Sequence, residues 1–136
     1  MDHSTSMAQR TSPIKVFLAD DSALIRTRVA AMLATGQADV VGHAETPRAC
    51  IDGILATLPD VVVLDVQLDG GQGLEVLRAV HPAAPHIAFV VFSNNSGPAY
   101  RKRYLDSGAV RFLDKSAEFD QLAGAVATAA HQTISL

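Results

Sequence analysis

The sequence predicts one α/β domain in which five parallel strands form a sheet with helices on both faces. Three observations support this. Five apolar runs of strand length recur along the chain: IKVFLA (14–19), DVVGHA (39–44), DVVVLD (60–65), IAFVVFS (87–93) and VRFLD (110–114). The segments between them carry apolar residues at helical spacing. The runs are apolar on both faces, which is typical of parallel strands buried between helical layers and joined by right-handed crossovers.

The helical segments follow the strands in order. Apolar positions recur after the first two runs at Ile25, Val29, Met32 and Leu33, then at Ile51, Ile54, Leu55 and Leu58. The last segment has the clearest pattern, with Phe119, Leu122, Ala123, Val126 and Ala130. Ser116 is predicted to be its N-cap, with Glu118 and Asp120 in the first turn. No linker or repeat separates a second domain, so we expect a flexible segment over residues 1–12 and one domain over 13–136.

Composition narrows the class of protein. A chain of 136 residues, 49% of them hydrophobic, suits one domain with a substantial core. The net charge of -3 and the pI of about 5.9 argue against a surface that binds nucleic acid. No apolar run approaches the roughly 20 residues of a membrane span, and no signal peptide is evident. Cys50 has no second cysteine to pair with and is interpreted as a small buried apolar residue. We therefore expect a soluble, cytoplasmic protein that contacts neither DNA nor membrane.

Polar side chains stand at the carboxyl ends of four predicted strands. Asp20 and Asp21 follow the first strand, Asp65 ends the third, Ser93 the fourth, and Lys115 comes just after the fifth. Ligands of open parallel sheets bind outside the carboxyl ends of the strands, so one crevice could hold all five side chains. Glu45 ends the second strand in the same way, and the residues alone do not decide whether that strand is central.

The chemistry of this set indicates a metal-dependent phosphoryl site. Three carboxylates at close range repel one another unless a cation shares the site, and an all-oxygen set with room for water suits Mg²⁺. The Asp65 carboxylate could act as a nucleophile and form an acyl phosphate. The Lys115 ammonium would then attract the phosphoryl oxygens, and the Ser93 hydroxyl would donate a hydrogen bond to one of them.

With these spacings, residues 14–133 resemble the receiver domains of two-component response regulators. The ordered features are the acidic pair Asp20–Asp21, then Asp65, Gly73, Ser93, SGA at 107–109, Phe112 and Lys115. The resemblance implies a flavodoxin-like fold with strand order 2-1-3-4-5 and an Asp65 that is phosphorylated by a partner histidine kinase or histidine phosphotransfer protein. It also implies Mg²⁺ as cofactor and places Glu45 on an edge strand away from the site.

The resemblance also implies individual roles. Asp21 and Asp65 would bind the metal directly, Asp20 would act through water, and the backbone carbonyl of Gln67 would be a further ligand. Ser93, Lys115 and the aromatic Phe112 would form the phosphoryl-binding and switch residues. Gln67 and Asn95 would flank the path of the hydrolytic water.

Two positions depart from the family pattern. Leu68 and Asp69 stand where the family commonly has Met-Pro, so we expect a less rigid loop with an added charge. Ser116 follows Lys115 where many members have proline, and we expect no cis bond there because a non-proline cis bond costs about 3 kcal/mol.

The resemblance further predicts the output. Phosphorylation would draw Ser93 towards the phosphoryl group and open space for the Phe112 ring. The surface of the fourth helix, fifth strand and fifth helix would then bind a downstream protein. Arg101 and Arg103 in YRKRYL (100–105), together with Arg111, predict a basic patch there and an acidic partner rather than DNA. The chain is thus expected to be a phosphoacceptor signalling domain and not an enzyme.

Three alternative functions fit the sequence less well. An aspartate-nucleophile phosphatase would carry a second Asp two residues after Asp65, where this chain has Gln67. A phosphorylation-independent interaction module would typically have lost the acidic pair, the acceptor or the lysine, and this chain keeps all of them. A flavin carrier would require a phosphate-cradling loop after the first strand, where Asp20 and Asp21 place two negative charges.

Overall fold

A computed structural model describes residues 12–134 of the chain, with side chains to residue 131. Its elements in order are β1 (Ile14–Ala19), α1 (Ala23–Ala34), β2 (Ala38–Ala44), α2 (Pro47–Thr57), β3 (Val61–Leu64), β4 (Gln67–Leu68), β5 (Gly71–Gln72), α3 (Gly73–Ala83), β6 (Ala88–Ser93), α4 (Pro98–Asp106), β7 (Arg111–Asp114) and α5 (Leu122–Ile134). The predicted flexible segment 1–12 lies outside the described residues except for Ser12.

Five parallel strands form the main sheet in the order β2-β1-β3-β6-β7. Counting only these five strands, the order is the predicted 2-1-3-4-5, so the predicted fold is confirmed. Each apolar run agrees with its strand to within one residue at either end. The strand β2 is less buried than the other strands of the main sheet, because it lies at the edge of the sheet.

Two apolar clusters occupy the two faces of the sheet. One packs α2, α3 and α4 against Phe17, Leu64 and Phe89. The other packs α1 and α5 against Val16, Leu18 and Phe92. The alternation of side chains along each strand directs successive residues to opposite clusters, which is why both faces of the central strands had to be apolar. Cys50 is buried in the first cluster, as predicted.

The ends of two helices differ from the prediction. The sequence predicts that Leu58 lies on the apolar face of the second helix. In the structure, Leu58 instead ends α2 in the left-handed region at φ 47° and is half exposed. Ser116 does not cap the last helix, because a 3-10 turn at Phe119–Gln121 precedes α5. The Asp114 carboxylate accepts hydrogen bonds from the amides of Ser116 and Ala117 and so takes over the local capping role.

A short hairpin, β4 with β5, follows β3 and was missed by the sequence analysis. Its turn contains Asp69 and Gly70, and Gly70 adopts a φ of 78° that favours glycine. The Asp-Gly pair was the available signal for this hairpin. Leu68 is buried and the amide of Asp69 donates to the Glu45 carbonyl, so the hairpin packs against the rest of the domain. Among the described residues, no helix is long and apolar enough to cross a membrane.

Candidate functional site

The sheet brings the predicted polar residues to one edge because its strands are parallel and adjacent. Asp20 follows β1 and Asp65 follows β3, and the Asp65 amide donates to the carbonyl of Ala19 at 2.9 Å. On the next pair of strands, the Lys115 amide donates to the carbonyl of Ser93 at 3.0 Å. These two hydrogen bonds continue the sheet by one residue beyond β3 and by one residue beyond β7. The side chains that follow the strands therefore share one crevice.

Three carboxylates converge in that crevice. One oxygen from each of Asp20, Asp21 and Asp65 lies within 4.8 Å of the other two. Asp20 and Asp65 are buried, whereas Asp21 is exposed to solvent. Glu45 is not in this group, which agrees with its expected place on the edge strand.

Lys115 joins the two buried carboxylates. Its Nζ lies 2.7 Å from Asp20 Oδ2 and 2.8 Å from Asp65 Oδ2, and the lysine is buried. Burial alone would lower the pKa of Lys115, but its hydrogen bonds to Asp20 and Asp65 and their negative charges outweigh burial and raise it. The ammonium therefore stays charged across the physiological pH range.

The balance of charge favours a further cation. Three ionised carboxylates facing one ammonium would leave a net charge of about -2 in a partly buried site. Burial raises the pKa of Asp20 above its usual value, even though the hydrogen bonds from Lys115 and from the Ser22 amide act in the opposite direction. The ionised form of Asp20 is thus held at an energetic cost that a divalent ion would relieve. A set of carboxylate oxygens that is partly open to solvent fits Mg²⁺.

Close backbone packing sets the position of Asp65. The Gly73 amide at the start of α3 donates to the Val66 carbonyl at 2.8 Å. A Cβ atom on Gly73 would lie 2.1 Å from the Asp65 carbonyl oxygen, so only glycine allows the helix to approach this closely. The Gln67 amide lies 3.4 Å from Asp65 Oδ1, while the Gln67 side chain is exposed.

The loop after β6 holds Ser93 and Asn95. The Ser93 side chain is buried, and its Oγ accepts a hydrogen bond from the Asn95 amide at 3.1 Å. The Asn95 side chain is exposed. A ligand that drew the Ser93 hydroxyl away would therefore release the Asn95 amide and change the start of this loop.

Phe112 is already inside the protein. The ring is buried and packs edge-on against Tyr104, with ring centroids 6.0 Å apart and an interplanar angle of 74°. The Tyr104 hydroxyl in turn accepts a hydrogen bond from the Leu74 amide at 3.0 Å, which links α4 to the start of α3. The inward movement expected for Phe112 is therefore not required for its burial.

Arg101 belongs to a structural network rather than to a free basic patch. Its guanidinium donates to the carbonyls of Ser96 and Phe112, pairs with Glu118 at 3.4 Å and lies 5.2 Å from the centre of the Phe112 ring. Arg111 is also engaged, through a hydrogen bond to Gln121. Of the three arginines in the predicted basic patch, Arg101 is therefore paired internally, whereas Arg103 and Arg111 are exposed and keep their charge without a described ion pair.

The contacts of two further residues near the site were not found by sequence reasoning. Arg26 on α1 donates to the Asp20 carbonyl at 2.6 Å and pairs with Glu45 at 3.2 Å, so it connects the acidic cluster to the edge strand. Glu118 accepts from the Asp114 amide as well as from Arg101. Their partners are distant in the chain or on irregular turns, and helical periodicity carries no signal for such contacts.

The profile of the response regulator receiver domain matches residues 16–127. Response regulator GacA of Pseudomonas aeruginosa is 32% identical over 114 residues, which are 83% of this chain and 53% of GacA. A protein-glutamate methylesterase/protein-glutamine glutaminase of Anaeromyxobacter dehalogenans is 34% identical over 119 residues, or 85% of this chain and 32% of the relative. The chain thus spans about half of the first relative and a third of the second.

Solved structures show the same architecture. The signal receiver domain of NarL from Mycobacterium tuberculosis superposes with a TM-score of 0.81 at 32% identity, covering 88% of this chain and 97% of that domain. The response regulator domain of CheB from Thermotoga maritima superposes with a TM-score of 0.77 at 26% identity, covering 91% of this chain and 98% of that domain.

Proposed function

Because the chain belongs to the family of response regulator receiver domains, we propose that Asp65 accepts a phosphoryl group from the phosphohistidine of a histidine kinase or histidine phosphotransfer protein. The observation that carries this proposal is the contact of Asp65 with Lys115 at 2.8 Å, inside a crevice that also holds Asp20 and Asp21. The Asp65 carboxylate therefore has a cation beside it. The exposed Asp21 lies on the solvent side of the same crevice.

The proposed transfer is a displacement at phosphorus. A carboxylate oxygen of Asp65 attacks the phosphorus atom, a P–O bond forms, and the P–N bond to the donor imidazole breaks with its electron pair returning to nitrogen. The product is an acyl phosphate on Asp65 and a free histidine on the donor. Lys115 then exchanges part of its contact with Asp65 for the phosphoryl oxygens, and the Ser93 hydroxyl donates to one of them.

Asp20, Asp21 and Asp65 would hold Mg²⁺, with the backbone carbonyl of Gln67 as a further oxygen ligand. When bound, the ion offsets the repulsion between the carboxylates and the incoming phosphoryl oxygens. The raised pKa of Asp20 and the convergence of three carboxylates support this assignment.

The acceptor is tested with acetyl phosphate and Mg²⁺, by intact-mass spectrometry. The wild type should gain the mass of one phosphoryl group, Asp65→Asn should gain none, and EDTA should abolish the gain. Asp69→Asn is the matched control, since this carboxylate lies exposed on the nearby hairpin and should leave labelling unchanged. Equal labelling of Asp65→Asn and wild type would overturn the proposal.

We further propose that Gln67 and Asn95 set the lifetime of the aspartyl phosphate. Both side chains are exposed, Gln67 at the start of β4 and Asn95 in the loop after β6. An amide can orient a water molecule by hydrogen bonding but cannot act as a general base at neutral pH. Replacing both by alanine should change the half-life of the phosphorylated protein, measured by the decay of the phosphorylated mass after removal of the donor. An unchanged half-life would contradict the assignment.

The output is proposed to be phosphorylation-dependent binding of a protein through α4, β7 and α5, so that the domain signals rather than turns over a substrate. Leu105 and Val110 support this surface, because both are large apolar residues with over 40% of their area exposed. The test compares proteins captured from cell extract by wild type, phosphorylated wild type and phosphorylated Leu105→Ser. We expect the partner protein to be captured by phosphorylated wild type alone. Equal capture by all three forms would exclude this surface as the binding site. Arg101 is kept intact because its loss would disturb the Phe112 network.

A further inference from the structure

A groove runs between α3 and α4, on the side of α4 away from β7. Its larger part is a cavity of about 390 Å³ bounded by Arg78 on α3 and by Ala99, Lys102, Arg103, Asp106 and Ser107 of α4 and its end. A second cavity of about 310 Å³ shares Ala99 and Arg103 and continues to Gln72 and Tyr100. We call the two together the α3–α4 groove.

The groove carries cations whose charge is not balanced within the described part of the chain. Arg78 and Arg103 have no ion pair or side-chain hydrogen bond to any described residue. Lys102 is neutralised by Asp106, with 2.8 Å between Nζ and Oδ2. Glu75, one turn before Arg78, accepts the amide hydrogen of Gln72 in the capping box of α3. Two free guanidinium groups therefore face one groove of a protein whose net charge is -3.

The walls of the groove are joined near both ends. Near the start of α3, the buried Tyr104 hydroxyl accepts the hydrogen bond from the Leu74 amide. Near the end of α3, Gly108 packs so closely on His81 that a Cβ atom would lie 2.7 Å from the imidazole ring. Gly108 has a φ of 118°, a conformation that favours glycine. Because the helices are held relative to each other, the two guanidinium groups are displayed on a preformed surface.

We propose that the α3–α4 groove binds an acidic segment of a partner protein. Arginine forms paired, charge-assisted hydrogen bonds with carboxylates, and two unpaired arginines in one groove suit two acidic side chains of one segment. The Tyr100 ring, 39% exposed at the end of the groove, offers an aromatic surface to an apolar neighbour in the same segment. A nucleic acid fits less well, because it requires more phosphate contacts than two free cations supply and is repelled by the acidic remainder of the domain.

The probe for this proposal is a fluorescein-labelled octaglutamate peptide, with octalysine as the reverse-charge control. Binding is followed by fluorescence anisotropy at low salt, and the site is located by amide chemical shifts of ¹⁵N-labelled protein. We expect octaglutamate to bind, octalysine to bind far more weakly, and the shifts to concentrate in α3 and α4. The experiment uses unphosphorylated wild type and Asp65→Asn, so it is independent of the proposed phosphorylation.

Two double variants distinguish binding in the groove from non-specific attraction of the acidic peptide to positive charge. Arg78→Ala with Arg103→Ala should weaken binding at least tenfold. Lys15→Ala with Arg48→Ala removes the same charge from exposed positions outside the groove and should change binding less than twofold. Thermal melting shows whether each variant is folded, and Arg103→Lys supplies a second, milder variant that should retain more binding than Arg103→Ala. Equal loss in both double variants, shifts elsewhere on the domain, or equal affinity for a labelled octathymidylate would each overturn the proposal.

Discussion

Replacing Lys115 with methionine should expose how strongly the acidic site depends on one ammonium group. Methionine keeps most of the buried apolar stem and removes the charge. The ammonium contacts Asp20 and Asp65 at 2.7 and 2.8 Å, and all three side chains are at most 9% exposed. The substitution therefore leaves two buried carboxylates facing each other and Asp21 with no described cation between them.

The magnitude follows from the cost of leaving a buried charge without its partner, which is about 3–5 kcal/mol. We expect a value near the lower limit, about 3 kcal/mol, because Asp20 can take up a proton in the variant. For a domain of this size, that loss corresponds to a fall in the melting temperature of roughly 10 °C.

The stability that Lys115→Met loses should depend on pH in one direction. The pKa of Lys115 is raised from 10.5, so its contribution to stability is fully present at every pH below that value and is lost only as pH rises through the folded-state pKa. The pKa of Asp20 is raised from 3.8 and should rise further without Lys115. A carboxyl group whose pKa is raised by folding lowers the stability of the protein as pH increases. The stability difference between the variant and wild type should therefore become smaller when pH falls from 8 to 5.

The assay is urea unfolding in EDTA at pH 8 and at pH 5, with wild type, Lys115→Met and Lys102→Met. Lys102 forms an exposed pair with Asp106, and its loss should leave the unfolding midpoint essentially unchanged. If Lys115→Met were no less stable than Lys102→Met, or if its deficit were larger at pH 5 than at pH 8, the electrostatic reasoning would be refuted.

The other predictions concern backbone packing and a buried phenol. Gly73→Ala should lower the free energy of unfolding by about 3 kcal/mol and slow labelling by acetyl phosphate, since its Cβ would lie 2.1 Å from the Asp65 carbonyl oxygen. Gly124→Ala, where nothing lies within 4 Å, should instead stabilise by up to about 1 kcal/mol in urea unfolding. Burial raises the pKa of Tyr104 from 10.0 to about 12, so stability should fall by about 2 kcal/mol as pH rises from about 10 to about 12. In Tyr100→Phe, phenolate absorbance should therefore appear only near pH 12 or on unfolding, and a normal titration near pH 10 in folded protein would contradict this.

Much of the fold could be predicted because its signals are local. A strand such as IKVFLA is recognisable from its own residues, and burial on both faces leaves little choice but a central position in a parallel sheet. The short hairpin after β3 was missed because two-residue strands leave no periodic pattern, although the Asp-Gly pair in its turn was visible.

The candidate site was predictable in membership but not in its contacts. Parallel strands carry their carboxyl ends to one edge, so the positions of Asp20, Asp65 and Lys115 at strand ends already placed them together. The same reasoning could not show that Lys115 bridges both carboxylates, since its partner Asp65 is 50 residues away and the contact depends on side-chain conformation.

The basic helix shows most clearly what only the tertiary structure decides. In the sequence, Arg101 and Arg103 are equivalent exposed charges two residues apart. In the fold, a shift of two residues turns a side chain to the other side of the helix. Arg101 therefore meets Phe112 and Glu118, whereas Arg103 faces the α3–α4 groove. The sequence by itself determined the sheet, the strand ends and the residue types at the crevice, because these follow from local periodicity and chain order. Which charges are neutralised and which remain available was decided by the packing of α4 between β7 and α3, because a side chain's partner depends on distances that periodicity does not encode.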